Sequence, residues 1–164
     1  MQEGPWSTYI VFGFVMSDLS YLYQEILLEH NSKPRNYRTL TDATVSVEGY
    51  NPLCGDKYTL QLRLEDDTIV DIGFQGSGCA ISKASTSMLT ERVKGKTTSE
   101  AVSVFDAFHT MVTEPDKDVD YELLEDLELL SGVSAYPARI KCAILAWHAL
   151  KEAVEGESGS ISTE

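Results

Sequence analysis

Basic residues are scarce in this chain. Against 26 aspartates and glutamates its 164 residues set only 13 lysines and arginines, a formal net charge of −13. A field of that sign repels phosphate backbones and anionic lipid surfaces over the whole molecule, so neither nucleic acid nor membrane is expected as a partner. Long hydrophobic runs are missing too: no segment reaches the roughly 18 consecutive apolar residues of a helical membrane span, and a soluble chain is expected. Cysteine occurs only at Cys54, Cys79 and Cys142, an odd number far apart in sequence. Three such cysteines cannot close a disulfide set, which argues for a reducing compartment and a cytoplasmic location. The glycine-rich stretch "GFQGSGCAISKAS" lacks both a Gly-Lys-Ser/Thr ending and a complete Gly-x-Gly-x-x-Gly, so it does not make a nucleotide loop.

By the same reasoning no signal peptide is expected. The apolar "YIVFGFVM" (Tyr9 to Met16) has no basic start and no small-residue cleavage site. Residues 1–15 are read as an N-terminal extension, disordered or forming an extra strand, ahead of the helix-start pattern "SDLSYLYQE" after Met16. Residues 16–155 form one domain, for which 43% hydrophobic residues supply a single core, and residues 156–164 are expected to be a disordered tail.

What is present is a clear change of period along the chain. Leu19, Leu22, Ile26 and Leu27 recur at helical spacing and predict a helix over residues 18–30, ended by "NSKPRN". Tyr58, Leu60, Leu62 and Leu64 alternate with polar residues, and Val70, Ile72 and Phe74 repeat the alternation after the acidic turn "EDDT", which predicts a hairpin. "ATVSVEG" (Ala43 to Gly49) supplies a third strand. Helical spacing returns at Ile81, Ala84, Met88 and Leu89, followed by a capping-box pair, Thr97 and Glu100, before Ala101 to Val112. A leucine-rich helix is expected from Tyr121 to Leu130, stopped by Gly132. A last helix opens near Pro137 and buries Ala143, Trp147, Leu150 and Val154. The order gives an α+β fold: a small three-stranded antiparallel sheet with helices packed on one face.

The candidate chemistry lies with the cysteines. Cys54 and Asp56 flank a single glycine just before a strand, and residues two apart in an extended or gently turned backbone project to one side. A thiolate and a carboxylate placed so can point at one ion; a small buried cysteine beside a turn aspartate is the plainer alternative. Cys79 opens a helix, where unpaired N–H groups and the helix dipole favour thiolate and make a soft ligand. Cys142 sits among apolar residues of the last helix, where core packing accounts for it equally well. His148 lies about two-thirds of a helical circle round from Cys142 and cannot share an ion with it; His30 and His109 fall within helical patterns as surface or satisfied residues. The spacings alone match no short zinc-finger pattern.

The combination "NPLCGD", "GSGCAIS" and "PARIKCAILAWHAL" resembles the U-type iron–sulfur assembly proteins from about Met16 to Val154, and its last stretch is similar to the SufU branch. The resemblance implies a SufE/IscU-like fold whose three cysteines converge at one exposed end, with Cys54, Asp56, Cys79 and Cys142 as ligands to a zinc ion. It implies a zinc-dependent sulfur acceptor for a SufS-type cysteine desulfurase, with Cys54 as the sulfurtransferase-like thiol and downstream iron–sulfur assembly proteins as recipients. A scaffold for a [2Fe–2S] cluster, or for iron, is the alternative, and a structural zinc protein the third. Scaffold-type IscU relatives carry histidine immediately before the third cysteine, where this chain has Lys141, an ammonium that cannot ligate a metal.

Overall fold

The computed structural model describes residues 24–156 and 159–162. Its first helix, α1, covers residues 24–32; the expected start of this helix and the N-terminal extension lie outside the described residues. Three strands follow: β1 (Val45–Asn51), β2 (Asp56–Glu65) and β3 (Thr68–Ser77). They pair antiparallel in sequence, with Val47 opposite Leu60 and Leu60 opposite Phe74. The alternation that predicted the hairpin therefore stacks its apolar residues on a single face. Val45, Val47, Tyr58, Leu60, Leu62, Ile72 and Phe74 are all buried. Against that face lie α2 (Ala80–Val93) and α5 (Pro137–Val154), with α3 (Thr98–Thr113) packed on α5.

Among the described residues the sheet has four strands rather than the expected three, in the order β3-β2-β1-β4, and it is mixed. The fourth strand, β4 (Gly159–Ser162), comes from the segment expected to be a disordered tail and runs parallel to β1, with Gly49 opposite Ile161. Composition alone hid it, because a Gly-Ser-rich segment carries no periodicity. It is held by the free backbone edge of β1 and by Ile161, whose Cδ1 comes within 3.6 Å of where a Cβ on Gly49 would stand.

The leucine-rich helix is also different. Tyr121–Leu124 forms one α turn (α4), and Glu125–Ala135 continues as 3-10 helix straight through Gly132. Two forces act against an α ladder here. Arg92 donates from Nε (2.9 Å) and Nη2 (2.6 Å) to the Leu123 carbonyl, removing that acceptor from the helix, and Glu125 takes φ +53°. Glu122, Glu125, Asp126 and Glu128 also crowd like charges at helical spacing.

Elsewhere the local signals act as written. Thr97 Oγ1 accepts from Glu100 N at 3.1 Å while Glu100 Oε1 accepts from Thr97 N at 3.0 Å, closing the capping box of α3. Helix α2 is buried beyond its apolar stripe, since Ser82, Ser85, Thr86, Ser87 and Thr90 are buried with partners. Ser85 Oγ donates to the Ala143 carbonyl at 2.6 Å and accepts from Trp147 Nε1 at 3.0 Å, a polar clamp between α2 and α5.

Candidate metal centre and thiol cluster

Four segments meet at the end of the sheet where β1 leaves and β2 enters. The turn between them is closed by Gly55 N donating to the Asn51 carbonyl at 2.8 Å, with Gly55 at φ +74°, a conformation glycine adopts without penalty. That turn leaves Cys54 exposed and sends Asp56 inward, fully buried at the first position of β2. From the far end of the chain, α5 brings Cys142, only 1% exposed, up against them.

One ligand atom each from Cys54, Asp56 and Cys142 lie within 4.8 Å of one another. Cys142 Sγ stands 3.3 Å from Cys54 Sγ. A tetrahedral ion with sulfur bonds of about 2.3 Å spaces its ligand atoms roughly 3.8 Å apart, so two sulfurs and a carboxylate at these separations suit a small divalent metal.

Cys79 borders the group without joining it. Its backbone N–H donates to Asp56 Oδ1 at 2.9 Å, while its sulfur caps α2 by accepting from Ser82 N at 3.5 Å. The four residues picked from the sequence are thus in one neighbourhood, three with converging donor atoms and the fourth tied in through Asp56.

Sequence reading missed the residues that hold these groups in place. Asn51 is fully buried and donates from Nδ2 to Asp56 Oδ2 at 3.0 Å and towards Cys142 Sγ at 3.6 Å, while its Oδ1 accepts from Leu53 N at 3.3 Å. The dipeptide Asn51-Pro52 reads as a turn signal only, and nothing local shows that the amide faces inward. Tyr58 and Ser82 share a bond of 3.1 Å behind Cys79, and burial pushes the Tyr58 phenol well above its usual range. Arg139, one helical turn before Cys142 and exposed, has its guanidinium held still more firmly protonated, first by the Cys142 side chain and then by its nearness to Cys79 and Cys54. The i, i+3 spacing from Cys142 was the signal that could have found it. Burial, and then the side chains of Cys54, Cys79 and Asp56, push the Cys142 thiol up. A cation beside it is what such a sulfur needs to ionise.

The histidines stand apart from the cluster, as expected. His30 is buried and bonded through Nδ1 to Ser87 Oγ at 2.7 Å. His109 and His148 pack on Phe105 with ring centroids 5.6 Å and 5.5 Å from it.

Comparison with known proteins places the chain in a family. The family model described as the NifU-like N-terminal domain matches residues 22–143. A protein of Bacillus subtilis named zinc-dependent sulfurtransferase SufU is 42% identical over 143 residues, 87% of this chain and 96% of that protein. The iron–sulfur cluster assembly scaffold protein IscU of Streptococcus pyogenes is 43% identical over 140 residues, 85% of this chain and 87% of that one. Among solved structures, a candidate iron–sulfur cluster assembly scaffold protein for the SUF system from Fervidobacterium islandicum superposes with a TM-score of 0.75 at 34% identity, covering 79% of this chain and 94% of that one.

Proposed function

Since this chain belongs to the NifU-like N-terminal domain family of iron–sulfur cluster assembly proteins, we propose that it is a zinc-dependent sulfur acceptor, taking persulfide sulfur onto Cys54 from a SufS-type cysteine desulfurase. The observation that carries this reading is the asymmetry of the thiols: Cys54 is exposed on a glycine turn while its neighbour Cys142, 3.3 Å away, is buried. A protein-bound persulfide can therefore reach Cys54 alone of that pair.

Cys54, Asp56 and Cys142 would hold zinc, with Cys79 completing the set by turning its sulfur away from Ser82. Bound there, zinc would keep the thiols deprotonated at neutral pH. The chain's own groups do the rest. Asn51 and the Cys79 N–H occupy one direction on each Asp56 oxygen, which fixes the carboxylate's orientation. Arg139 sets positive charge beside the thiols of a strongly acidic molecule. In the transfer, the Cys54 thiolate attacks the outer sulfur of the donor persulfide. A bond forms between Cys54 Sγ and that sulfur, the donor's S–S bond breaks, and the donor cysteine leaves as thiolate, with no net oxidation.

A cluster scaffold is the second reading, favoured by the 43% identity to a protein named as one. Lys141 counts against it, because it stands where scaffold-type relatives carry a histidine and supplies no donor.

Anaerobic mass spectrometry after incubation with a cysteine desulfurase and free cysteine separates the two. Addition of one sulfur atom to the peptide bearing Cys54, with zinc retained, supports the sulfur acceptor. No added sulfur on any cysteine, with a brown cluster forming once iron is supplied, overturns it in favour of the scaffold.

A further inference from the structure

The 3.3 Å approach of Cys142 Sγ to Cys54 Sγ has a chemical use that a metal ligand pair does not require. Resting on the sulfur-acceptor reading above, we infer that Cys142 is the resolving thiol of Cys54: in the metal-free protein it displaces the carried sulfur from Cys54 as hydrosulfide and leaves a Cys54–Cys142 disulfide.

The step balances without an added reagent. Cys142 gives up its proton and its sulfur forms a bond to Cys54 Sγ. The bond between Cys54 Sγ and the outer sulfur breaks, and that sulfur departs with the electron pair as hydrosulfide, which takes the released proton according to pH. The two cysteine sulfurs lose two electrons between them and the departing sulfur gains two, becoming sulfide, the oxidation state in which sulfur enters an iron–sulfur cluster. Hydrosulfide is a good leaving group because its conjugate acid is stronger than an alkyl thiol, and attack at the inner sulfur returns no persulfide to the donor. A dithiol reductant must then restore the pair.

Three features of the structure favour Cys142 over Cys79 in this role. The Cys142 sulfur is already in van der Waals contact with Cys54, and closing to an S–S bond of about 2.05 Å takes only a small side-chain movement. The Cys79 sulfur, by contrast, faces Ser82 at the start of α2 and must turn before it can meet Cys54. Cys142 is also buried, so a donor protein cannot load it first; sulfur enters at Cys54 and resolution follows from within. Finally, the moving partner sits on a turn beside Gly55 while the attacking sulfur is fixed on a helix, held between Asn51 Nδ2 and the Ala138 carbonyl, each at 3.6 Å. Zinc and disulfide require the same two sulfurs, so the step belongs to the metal-free form alone.

The test is a single turnover. The fully reduced, zinc-bound chain is loaded anaerobically with a cysteine desulfurase and cysteine, freed from both by rapid desalting, stripped of zinc with a chelator, and followed without reductant. Released sulfide is trapped with monobromobimane while the protein is mapped by mass spectrometry. The expected result is about one sulfide for each Cys54 persulfide lost, with a peptide pair joining Cys54 to Cys142 and a protein lighter than its reduced form by two hydrogens. In Cys142→Ser the persulfide should persist at least about ten times longer. A Cys54 persulfide that survives in the wild-type protein, or a disulfide from Cys54 to Cys79 or to a second chain, overturns the inference and leaves the sulfur acceptor standing. Failure to load Cys54 at all overturns both. The wild-type peptide map decides the question even if the serine variant does not fold.

Discussion

At the scale of single residues, the site depends on groups that are not themselves ligands. Gly78 shows how little room they leave. A Cβ there would stand 2.5 Å from Asp56 Oδ1, 2.6 Å from Ser82 Oγ and 2.8 Å from the Tyr58 hydroxyl. Gly78→Ala must push the Asp56 carboxylate off the Cys79 N–H or break the Tyr58–Ser82 bond. Overpacking of this kind costs about 1–3 kcal/mol. The variant should fold with a lowered melting temperature and bind zinc at least about ten-fold more weakly in a competition with a chromophoric chelator, a factor worth about 1.4 kcal/mol. Unchanged zinc affinity would show that Asp56 is not held by this contact. In the sequence this glycine stands only as part of the motif "GSGCAIS" before Cys79. Its actual constraint comes from Asp56 and Tyr58, about twenty residues earlier in the chain, and so was not readable locally.

Among the elements, the seam between α3 and α5 carries an acid sensitivity. Phe108 stacks on Trp147 with centroids 4.5 Å apart, and one turn along, Phe105, His109 and His148 meet ring to ring. Burial first, then the neighbouring charges of His109 and Lys151, lower the pKa of His148 below its ordinary 6.5. Both folded and unfolded chains hold this ring neutral well above that value. As pH falls through it the unfolded chain takes up a proton that the folded one resists, so stability falls with pH, by at most about 1.4 kcal/mol per pH unit, until the folded ring also titrates. Thermal melts between about pH 7.5 and about pH 5.5 should show this decline, and His148→Gln should flatten it. An identical decline in the variant would assign the acid sensitivity elsewhere. Both helices were legible, one from its capping box and the other from its opening proline and apolar stripe. The pairing of two histidines 39 positions apart was not, since it depends on how the helices cross.

For the whole molecule, the thiol cluster joins the β1–β2 turn, the entry to α2 and the start of α5, so an ion bound there ties distant parts of the chain together. Metal binding to such a site is coupled to folding, and saturation at 100 times the dissociation constant adds about 2.7 kcal/mol. Removing zinc with a chelator should lower the melting temperature by several degrees, and adding zinc back should restore it. A melting curve indifferent to verified zinc removal would mean that the cluster does not hold the fold. The sequence by itself determined the α+β class, the hairpin and the capping box of α3, because alternation, helical period and capping are properties of neighbours along the chain, while the four candidate ligands came from the resemblance of their motifs to a family. Tertiary structure alone decided that β4 would add to β1, that Arg92 would take the Leu123 carbonyl and turn an expected α-helix into 3-10, and that Asn51 would face inward to hold Asp56. It alone set Cys142 against Cys54 across 88 residues of sequence, while Cys79 turned to cap its helix. These outcomes rest on a free strand edge, an unpaired carbonyl and a buried carboxylate finding partners, and which partners are within reach is fixed only when the layers pack.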